Sequence, residues 1–124
     1  MAIIALDHIQ LAMPEGGEGE ARLFYAGVLG LEEIPKPQNL AVRGGVWFGR
    51  GTVKVHLGID KDFVPARKAH PGFLVDDLDA TIEQILAHGV GIREDEPLEG
   101  YSRVYISDPF GNRIELMERT AKAR

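Results

Sequence analysis

The sequence predicts an α+β fold in which one motif, a strand followed by a helix and further strands, occurs twice. In each half, apolar and polar residues alternate as they do in half-buried strands. Each half also contains one apolar stripe at helical spacing that stops at a glycine. The spacing agrees as well, because 26 residues separate Gly30 from His56 and Gly89 from Glu115.

The first half opens with a strand, a loop and a helix. In "ALDHIQLAM", Ile9 and Leu11 take one strand face, while His8 and Gln10 take the other. The "PEGGEGE" stretch that follows is expected to be a solvated loop. The helix comes next and ends at Gly30. Its apolar stripe consists of Ala21, Phe24, Tyr25, Val28 and Leu29.

Two strands close the first half after a proline-containing connector. The stretch "VWFGRGTVKVHLGI" predicts a strand pair around a Gly-Arg-Gly turn. Val55 and Leu57 share one face of the second strand, and Lys54 and His56 share the other. His56 therefore lies on the face opposite the aliphatic residues that should pack under the helix.

The second half repeats this order. The stretch "AHPGFLV" predicts a strand with Phe73 and Val75 on one face and His70 on the other. Asp77 is placed as the N-cap of a helix that stops at Gly89. The apolar stripe of this helix consists of Leu78, Ile82, Ile85 and Leu86.

The chain closes with "SRVYISDPFGNRIELME", which predicts two strands joined by a turn at Pro109 and Gly111. Ile114 and Leu116 alternate as in a buried strand, and Glu115 lies between them. In an isolated strand a carboxylate at this position would face water. The repeat gives Glu115 a different interpretation, because it is the counterpart of the histidine on the last strand of the first half.

Length and composition are those of an ordinary globular protein. The chain has 124 residues, of which 44% are hydrophobic and 27% charged. We interpret 1–124 as a single domain of two modules, 1–60 and 67–119, joined by a linker at 61–66. A net charge of −5 argues against nucleic acid as a partner. No apolar run approaches the roughly 20 residues that cross a bilayer, so no membrane partner and a cytoplasmic location are expected.

Four side chains with metal-binding chemistry occupy equivalent positions of the two modules. They are His8 and His56 in the first module, and His70 and Glu115 in the second. Because the chain has no cysteine, any metal must be held by nitrogen and oxygen. Such ligands suit zinc, nickel, iron(II), manganese or cobalt, and the residue types do not choose among these divalent ions. His88, in the last turn of the second helix, is expected to interact with the helix carbonyls instead.

Further side chains are candidates for binding a small-molecule substrate. Arg103 can clamp a carboxylate or phosphate, or it can be a solvated strand arginine. The facing of the strand that carries Trp47 is left open by the two glycines before it. The full set of substrate-binding candidates is Gln10, Arg43, Trp47, Arg103 and Tyr105.

The sequence resembles the vicinal oxygen chelate superfamily, which includes glyoxalase I, bleomycin-resistance proteins, fosfomycin-resistance proteins and extradiol dioxygenases. The matching pieces, in chain order, are "LDHIQLAM", "LFYAGVLGLEE", "KAHPGFLVDDLDA" and "YISDPFGNRIELME". The resemblance implies a pair of βαβββ modules whose curved mixed sheets line a cleft. It also implies a divalent metal bound by side chains that project into this cleft.

Matched residue by residue, His8, His70 and Glu115 fall on the usual ligand positions of the family. His56 falls on a further position that glyoxalase-like members commonly fill with glutamate, which leaves open three or four protein ligands. The resemblance implies a metal-dependent lyase or isomerase of glyoxalase type, with Glu115 or His56 transferring a proton. It also implies a homodimer, in which the metal site forms either within one chain or across the interface.

Other members of the family provide alternative functions. A metal-free protein like the bleomycin-resistance proteins would sequester a drug or metabolite, but such relatives commonly lack the ligand set that this chain keeps. Extradiol dioxygenases are usually longer chains with two copies of the paired-module unit. The additional phosphonate-binding and potassium-loop signature of the fosfomycin transferases is not seen. The leading hypothesis is therefore a glyoxalase-like enzyme acting on a small oxygen-chelating substrate.

Overall fold

The computed structural model describes residues 1–120 and confirms an α+β fold with two β-sheets. The chain divides into two compact units, Met1–Val64 and Pro65–Arg124, and each sheet belongs to one unit. In the described part of the chain, no helix is long and apolar enough to cross a membrane. The interpretation of modules 1–60 and 67–119 as one domain stays a prediction.

The first unit contains a four-stranded mixed sheet in the order β1-β4-β3-β2. The first strand runs parallel to the fourth, and the other neighbours are antiparallel. The elements of this unit are β1 (Ile9–Met13), α1 (Glu18–Ala21) with a π-helical continuation (Arg22–Val28), β2 (Glu32–Ile34), α2 (Gln38–Ala41), β3 (Val46–Arg50) and β4 (Val53–Ile59).

The helix of the first unit differs from the prediction at its start and in its geometry. It begins at Glu18, inside the stretch that was expected to be a loop, and it widens to a π-helix over Arg22–Val28. The Leu29 N–H donates to the Phe24 carbonyl at 2.9 Å, which is the i to i−5 bond of a π-helix. Its predicted end is confirmed, since Gly30 has a φ of 74°, which favours glycine.

The strands of the first unit agree with the sequence pattern except in two places. The pair β3 and β4 lies where the Gly-Arg-Gly turn predicts it, and Val55 and Leu57 are buried. By contrast, β1 starts only at Ile9, so His8 lies just before the strand. The connector also contains β2 and α2, which the sequence analysis did not identify because each has only three or four residues.

The second unit contains a three-stranded mixed sheet in the order β5-β7-β6. A single bridge between Arg93 and Tyr105 takes the place that β2 has in the first unit. The Arg93 N–H donates to the Tyr105 carbonyl, and the Tyr105 N–H donates back, both at 2.8 Å. The elements of this unit are β5 (Gly72–Leu74), α3 (Leu78–Ala87), β6 (Tyr101–Ser107) and β7 (Arg113–Arg119).

The ends of α3 confirm the predicted caps. The Asp77 carboxylate accepts a hydrogen bond from the Ala80 N–H at 3.0 Å. At the other end, Gly89 has a φ of 77°. The His88 ring donates through Nδ1 to the Gln84 carbonyl at 2.8 Å, in agreement with its predicted contact to the helix carbonyls. Of the predicted stripe, Leu78 and Ile85 are buried, Ile82 is half-buried and Leu86 is exposed.

The turn between β6 and β7 is held by the Asp108 carboxylate. Its Oδ1 accepts from the backbone N–H groups of Phe110 and Asn112, at 2.9 and 2.8 Å. Its Oδ2 accepts from the Asn112 side-chain amide at 2.9 Å. Gly111 within this turn has a φ of 90°, so the predicted Pro-Gly turn is confirmed.

Strand register shows how closely the two units repeat each other. In the first unit, His56 on the central strand β4 is flanked by Gln10 on β1 and Trp47 on β3. In the second unit, Glu115 on the central strand β7 is flanked by Gly72 on β5 and Tyr105 on β6. The central-strand positions of His56 and Glu115 are therefore equivalent, as the spacing predicted.

Candidate functional site

Three aromatic rings stack on one another in the first unit. The Trp47 and His56 rings lie 3.9 Å apart between centroids, with planes only 3° from parallel. The His8 ring stacks on the other face of His56 at 4.3 Å and 18°. This stack forms because β3 and β4 place Trp47 directly beside His56, and His8 precedes the neighbouring strand β1.

The outer ring of the stack is oriented by a carboxylate. Nδ1 of His8 lies 3.0 Å from Oδ2 of Asp7, which also forms a 3.4 Å ion pair with Lys54. Hydrogen bonds from His8 and then from Lys54 lower the pKa of Asp7 below its ordinary value. When Nδ1 of His8 donates to this carboxylate, its Nε2 keeps a lone pair that can bind a cation.

Burial makes His56 a weaker base than an ordinary histidine. The residue is 9% exposed, and this burial, followed by the nearby His8, lowers the pKa of His56. A buried imidazole between two rings therefore stays neutral near neutral pH, with one ring nitrogen able to accept a proton.

In the second unit, Glu115 is buried and does not face water. It is 7% exposed, and each of its two carboxylate oxygens has a partner. Oε1 lies 3.0 Å from Nε2 of His70, and Oε2 lies 3.1 Å from Nη1 of Arg103. The two partners explain how a carboxylate can occupy a buried strand position.

The orientation of the His70 ring requires a proton or a metal ion between Nε2 of His70 and Oε1 of Glu115. Nδ1 of His70 lies 2.7 Å from the Lys68 carbonyl, which can only accept, so this nitrogen carries a hydrogen. In a neutral ring, Nε2 then has a lone pair that faces Oε1 of Glu115. Two lone pairs at 3.0 Å repel each other unless a proton or a metal ion is shared between them.

The same two atoms are spaced as neighbouring ligands of one metal ion. Ligand atoms that are each about 2.1 Å from an ion, at about a right angle to each other, lie about 3.0 Å apart. Nε2 of His70 and Oε1 of Glu115 are separated by 3.0 Å. This pair therefore fits a divalent cation in both donor chemistry and spacing.

Arg103 is tied to the protein at both ends of its guanidinium group. Nη1 donates to Oε2 of Glu115 and, at 2.8 Å, to the Tyr105 hydroxyl. Nη2 donates to the Glu96 carbonyl at 2.7 Å. Arg113 lies with its guanidinium carbon 4.2 Å from the centroid of the Tyr105 ring, so this ring carries a cation on its face.

The neighbours of Glu115 keep it ionised. Burial raises the pKa of its carboxyl group, but hydrogen bonds from His70 and Arg103, together with their charges, outweigh this effect. The pKa of Glu115 therefore lies below its ordinary value. An ionised carboxylate with one oxygen facing an imidazole nitrogen is a ligand arrangement that metal ions use.

Each candidate pair belongs to its own unit. Within residues 1–120, no group of three or more histidine, cysteine, aspartate or glutamate side chains is placed to hold a metal ion. The geometric fit to a cation described above is that of the pair His70 and Glu115.

Comparison with known families identifies the family to which the fold belongs. The family model described as Glyoxalase/Bleomycin resistance protein/Dioxygenase superfamily matches residues 5–116. The chain belongs to this superfamily. The matched range includes His8, His56, His70 and Glu115.

Two solved structures resemble the chain to different extents. The crystal structure of a glyoxalase family protein from Bacillus anthracis is 44% identical, has a TM-score of 0.93 and covers 97% of this chain and 98% of its own. TnmS3, an antibiotic binding protein from Streptomyces sp. CB03234, shares the fold at 21% identity, a TM-score of 0.75 and coverage of 97% and 99%.

A curated plant relative provides a sequence likeness to a named enzyme. The Arabidopsis thaliana protein named "Probable lactoylglutathione lyase, chloroplastic" is 40% identical over 67 residues. These residues are 52% of this chain and 19% of the plant protein, so the chain spans a small part of that relative's length.

Most of the site residues that the sequence predicts lie in two groups, one in each unit. The first unit brings together His8, Trp47 and His56, and the Gln10 side chain lies over Gly58 on the same sheet. The second unit brings together His70, Arg103, Tyr105 and Glu115. Arg43 is exposed in the turn that precedes β3. The ligand, catalytic and substrate-binding roles of all these residues stay predictions.

Sequence reasoning missed three contacts that orient the candidate site residues. The carbonyls of Lys68 and Glu96 orient His70 and Arg103, and no residue type signals a backbone carbonyl. The contact between Asp7 and His8 could have been predicted, because metal-binding histidines commonly donate their second ring nitrogen to a carboxylate.

Proposed function

We propose that this protein is a metal-dependent lyase or isomerase of glyoxalase type, acting on a small oxygen-chelating substrate. The observation that carries the proposal is the pair His70 and Glu115. Nε2 of the His70 ring and Oε1 of the Glu115 carboxylate lie 3.0 Å apart. The superfamily, whose members typically use divalent metals, supports it, as does the 40% identity to part of a lyase.

The proposed metal ligands are His8, His70 and Glu115, and a fourth is His56, which stacks on His8 in the first unit, if the site has four protein ligands. His8 and Glu115 already have second partners that fix their orientation, namely Asp7 and Arg103. Nitrogen and oxygen donors of this kind accept zinc, nickel, iron(II), manganese or cobalt. A divalent ion of this group is therefore the proposed cofactor.

The chemistry of the proposed reaction is a proton transfer on a bound substrate. A bound metal would polarise the substrate oxygens and stabilise the negative charge that develops on them. Of the two proton-transfer candidates, His56 is favoured, because Oε1 of Glu115 faces His70 and Oε2 accepts a hydrogen bond from Arg103. The proposed substrate contacts are Gln10, Arg43, Trp47, Arg103 and Tyr105.

The proposal is tested by removing and restoring the metal. The protein, purified without an affinity tag, is assayed for bound first-row metals and for turnover of α-keto aldehyde thiol adducts. A chelator is expected to abolish turnover, and one divalent metal of the group is expected to restore it. A protein that binds no metal even after reconstitution, yet retains an antibiotic or metabolite, would instead be a sequestering protein of the bleomycin-resistance type.

We also propose a cytoplasmic homodimer, on the pattern of relatives of this size. Sedimentation that shows only monomer at micromolar concentration would contradict the dimer. Coexpression of His8→Ala chains with Glu115→Ala chains then distinguishes the two forms of the site. If ligands come from both chains, mixed dimers regain one intact metal site, whereas sites formed within single chains stay defective in both partners.

A further inference from the structure

One peptide group between α2 and β3 is bound by two side chains of opposite charge. It joins Gly44 to Gly45, just before β3 begins at Val46. Its N–H, which belongs to Gly45, donates to Oε2 of Glu18 at 3.0 Å. Its carbonyl, which belongs to Gly44, accepts a hydrogen bond from Nζ of Lys36. We call Glu18 and Lys36 the peptide clamp, because an anion binds the N–H and a cation binds the C=O of the same peptide.

This peptide needs the clamp because both of its residues are glycines. The φ angles of Gly44 and Gly45 are 74° and 85°, in the left-handed region that favours glycine. Space requires glycine as well, since a Cβ on Gly44 would lie 2.6 Å from Cδ1 of Ile59. A Cβ on Gly45 would lie 2.5 Å from the Leu57 carbonyl oxygen. A peptide between two glycines rotates at little steric cost, so its orientation depends on the groups that bind its N–H and C=O.

The polarity of the peptide clamp matches the dipole of the peptide, which is positive at the N–H and negative at the C=O. The Gly45 N–H, followed by the backbone N–H of Glu18 itself, lowers the pKa of the Glu18 carboxyl group, and the charge of Lys36 adds to this effect. Glu18 and Lys36 are both half-buried. Partial burial strengthens hydrogen bonds to charged groups. The opposite orientation of the peptide would place its C=O against the carboxylate and its N–H against the ammonium group.

Two of the proposed substrate contacts lie on either side of the clamped peptide. Arg43 comes directly before it, and Trp47 is the second residue of β3. Trp47 is paired with His56 between β3 and β4, and its ring stacks on the His56 ring. The direction in which the chain enters and leaves this peptide therefore affects the orientation of both Arg43 and Trp47.

We infer that Glu18 and Lys36 are positioning residues of the proposed enzyme. Together they fix the peptide that leads into β3, and this peptide in turn orients Arg43 and Trp47. The inference rests on the proposed function, since it concerns two of the proposed substrate contacts. Glu18 and Lys36 act through the backbone and not through contact with the substrate or the metal. This gives a role to Glu18, which lies in the "PEGGEGE" stretch that was expected to be a solvated loop.

Steady-state kinetics of the metal-loaded protein test the inference. Glu18→Ala is expected to raise KM for an α-keto aldehyde thiol adduct by about 10-fold, the equivalent of one hydrogen bond to a charged group. The change in kcat should be smaller, and the metal affinity should not change. Glu18→Gln keeps an acceptor oxygen and should recover much of the loss. Glu20→Ala, at an exposed acid of the same helix, is the matched control and should leave KM unchanged. Equal KM values in the wild type and in Glu18→Ala would overturn the inference.

Exchanging the two charges distinguishes a clamp on the peptide from an ordinary ion pair. Glu18→Lys/Lys36→Glu keeps the net charge and the attraction between the two side chains. However, it presents a cation to the peptide N–H and a carboxylate to the peptide C=O. The exchanged variant is therefore expected to have a KM at least as high as that of Glu18→Ala. A wild-type KM in the exchanged variant would overturn the inference, because attraction between the side chains would then be sufficient.

The peptide clamp has a readout that needs neither metal nor substrate, because Trp47 is the single tryptophan of the chain. In the metal-free protein, Glu18→Ala is expected to make the emission of Trp47 more easily quenched by acrylamide, since the start of β3 loosens. Glu20→Ala is expected to leave quenching unchanged. Unchanged quenching in Glu18→Ala would overturn this inference alone. A wild type that binds no metal and turns over no substrate would overturn the proposed function, and the quenching experiment would still decide whether the clamp orients Trp47.

Discussion

The two units share a strand register but use opposite electrostatics at the centre of their sheets. In the first unit the central strand carries His56, a buried base between two rings, with a lowered pKa. In the second unit it carries Glu115, a buried acid between an imidazole and a guanidinium, also with a lowered pKa. One position is therefore kept neutral and the other is kept negative.

This difference shows that the repeat determines where His56 and Glu115 lie, whereas the side chains around them determine their protonation states. Stacked rings exclude water from His56 without offering it a counter-charge, so desolvation decides its protonation. Glu115 is just as buried, but two hydrogen-bond donors more than offset the desolvation.

The largest effect is expected from neutralising the charged centre of the second unit. Glu115→Gln keeps the shape of the side chain but removes the carboxylate that faces His70. We expect metal affinity to fall by more than about 100-fold, since even the orienting partners of ligands are worth 10- to 100-fold. Glu118→Gln is the matched control, because Glu118 lies on the same strand and accepts from the Leu78 N–H. Comparable losses in both variants would contradict a ligand role for Glu115.

A smaller effect is expected from Arg103, which holds the second oxygen of Glu115. Arg103→Ala should weaken metal binding by about 10- to 100-fold, because the carboxylate loses its orienting partner. Arg103→Lys keeps the positive charge and should recover part of the loss. Competition with a chelator measures the metal dissociation constants of the wild type, Arg103→Ala and Arg103→Lys. An Arg103→Ala variant with wild-type metal affinity would show that Glu115 needs no such support.

The helices of the two units offer a comparison that is independent of the metal. The α3 helix has a side-chain N-cap in Asp77, whereas Gly17 at the start of α1 gives no side-chain cap. Asp77→Ala should therefore lower the free energy of unfolding by about 1 kcal/mol. Asp76→Ala, at the exposed neighbouring residue, should leave it nearly unchanged. Urea denaturation measures both, and equal effects would mean that the cap contributes nothing.

The smallest effect is expected in the acid stability of the metal-free protein. The pKa of Glu115 is lower in the folded chain than its ordinary value of 4.5, so the folded state favours the ionised form. Its contribution to stability is present above pH 4.5 and is lost as the pH falls through the folded pKa. Arg103→Ala should flatten this fall, because it raises the pKa of Glu115. If the free energy of unfolding depends on pH in Arg103→Ala as it does in the wild type, Arg103 does not lower the pKa of Glu115.

Much of this comparison could be predicted from the sequence, because it depends on spacing and alternation. Equal intervals from a helix-ending glycine placed His56 and Glu115 at equivalent positions, and the register of β4 and β7 confirms it. The caps at Asp77 and Gly89 were predicted from residue types whose conformational preferences are strong. The sequence motifs predicted the superfamily, and the family model confirms it over residues 5–116.

Other features depend on contacts that no local pattern records. The π-helical turn over Arg22–Val28 has the same apolar spacing as an α-helix, so periodicity did not distinguish the two. The stack of Trp47 on His56 depends on where β3 begins after Gly44 and Gly45. The tie from Arg103 to Glu115 depends on side-chain conformations across two strands, and its reach could not be read from residue order.

The central claim is the proposal that His8, His70 and Glu115 are ligands of a divalent metal, and one pair of variants tests it most directly. Metal content and dissociation constant are measured for the wild type, for His8→Ala in the first unit and for Glu115→Ala in the second. We predict stoichiometric metal in the wild type and a loss of at least about 100-fold in affinity in each variant. Metal bound to His8→Ala as tightly as to the wild type would show that His8 is not a ligand, and would contradict the claim.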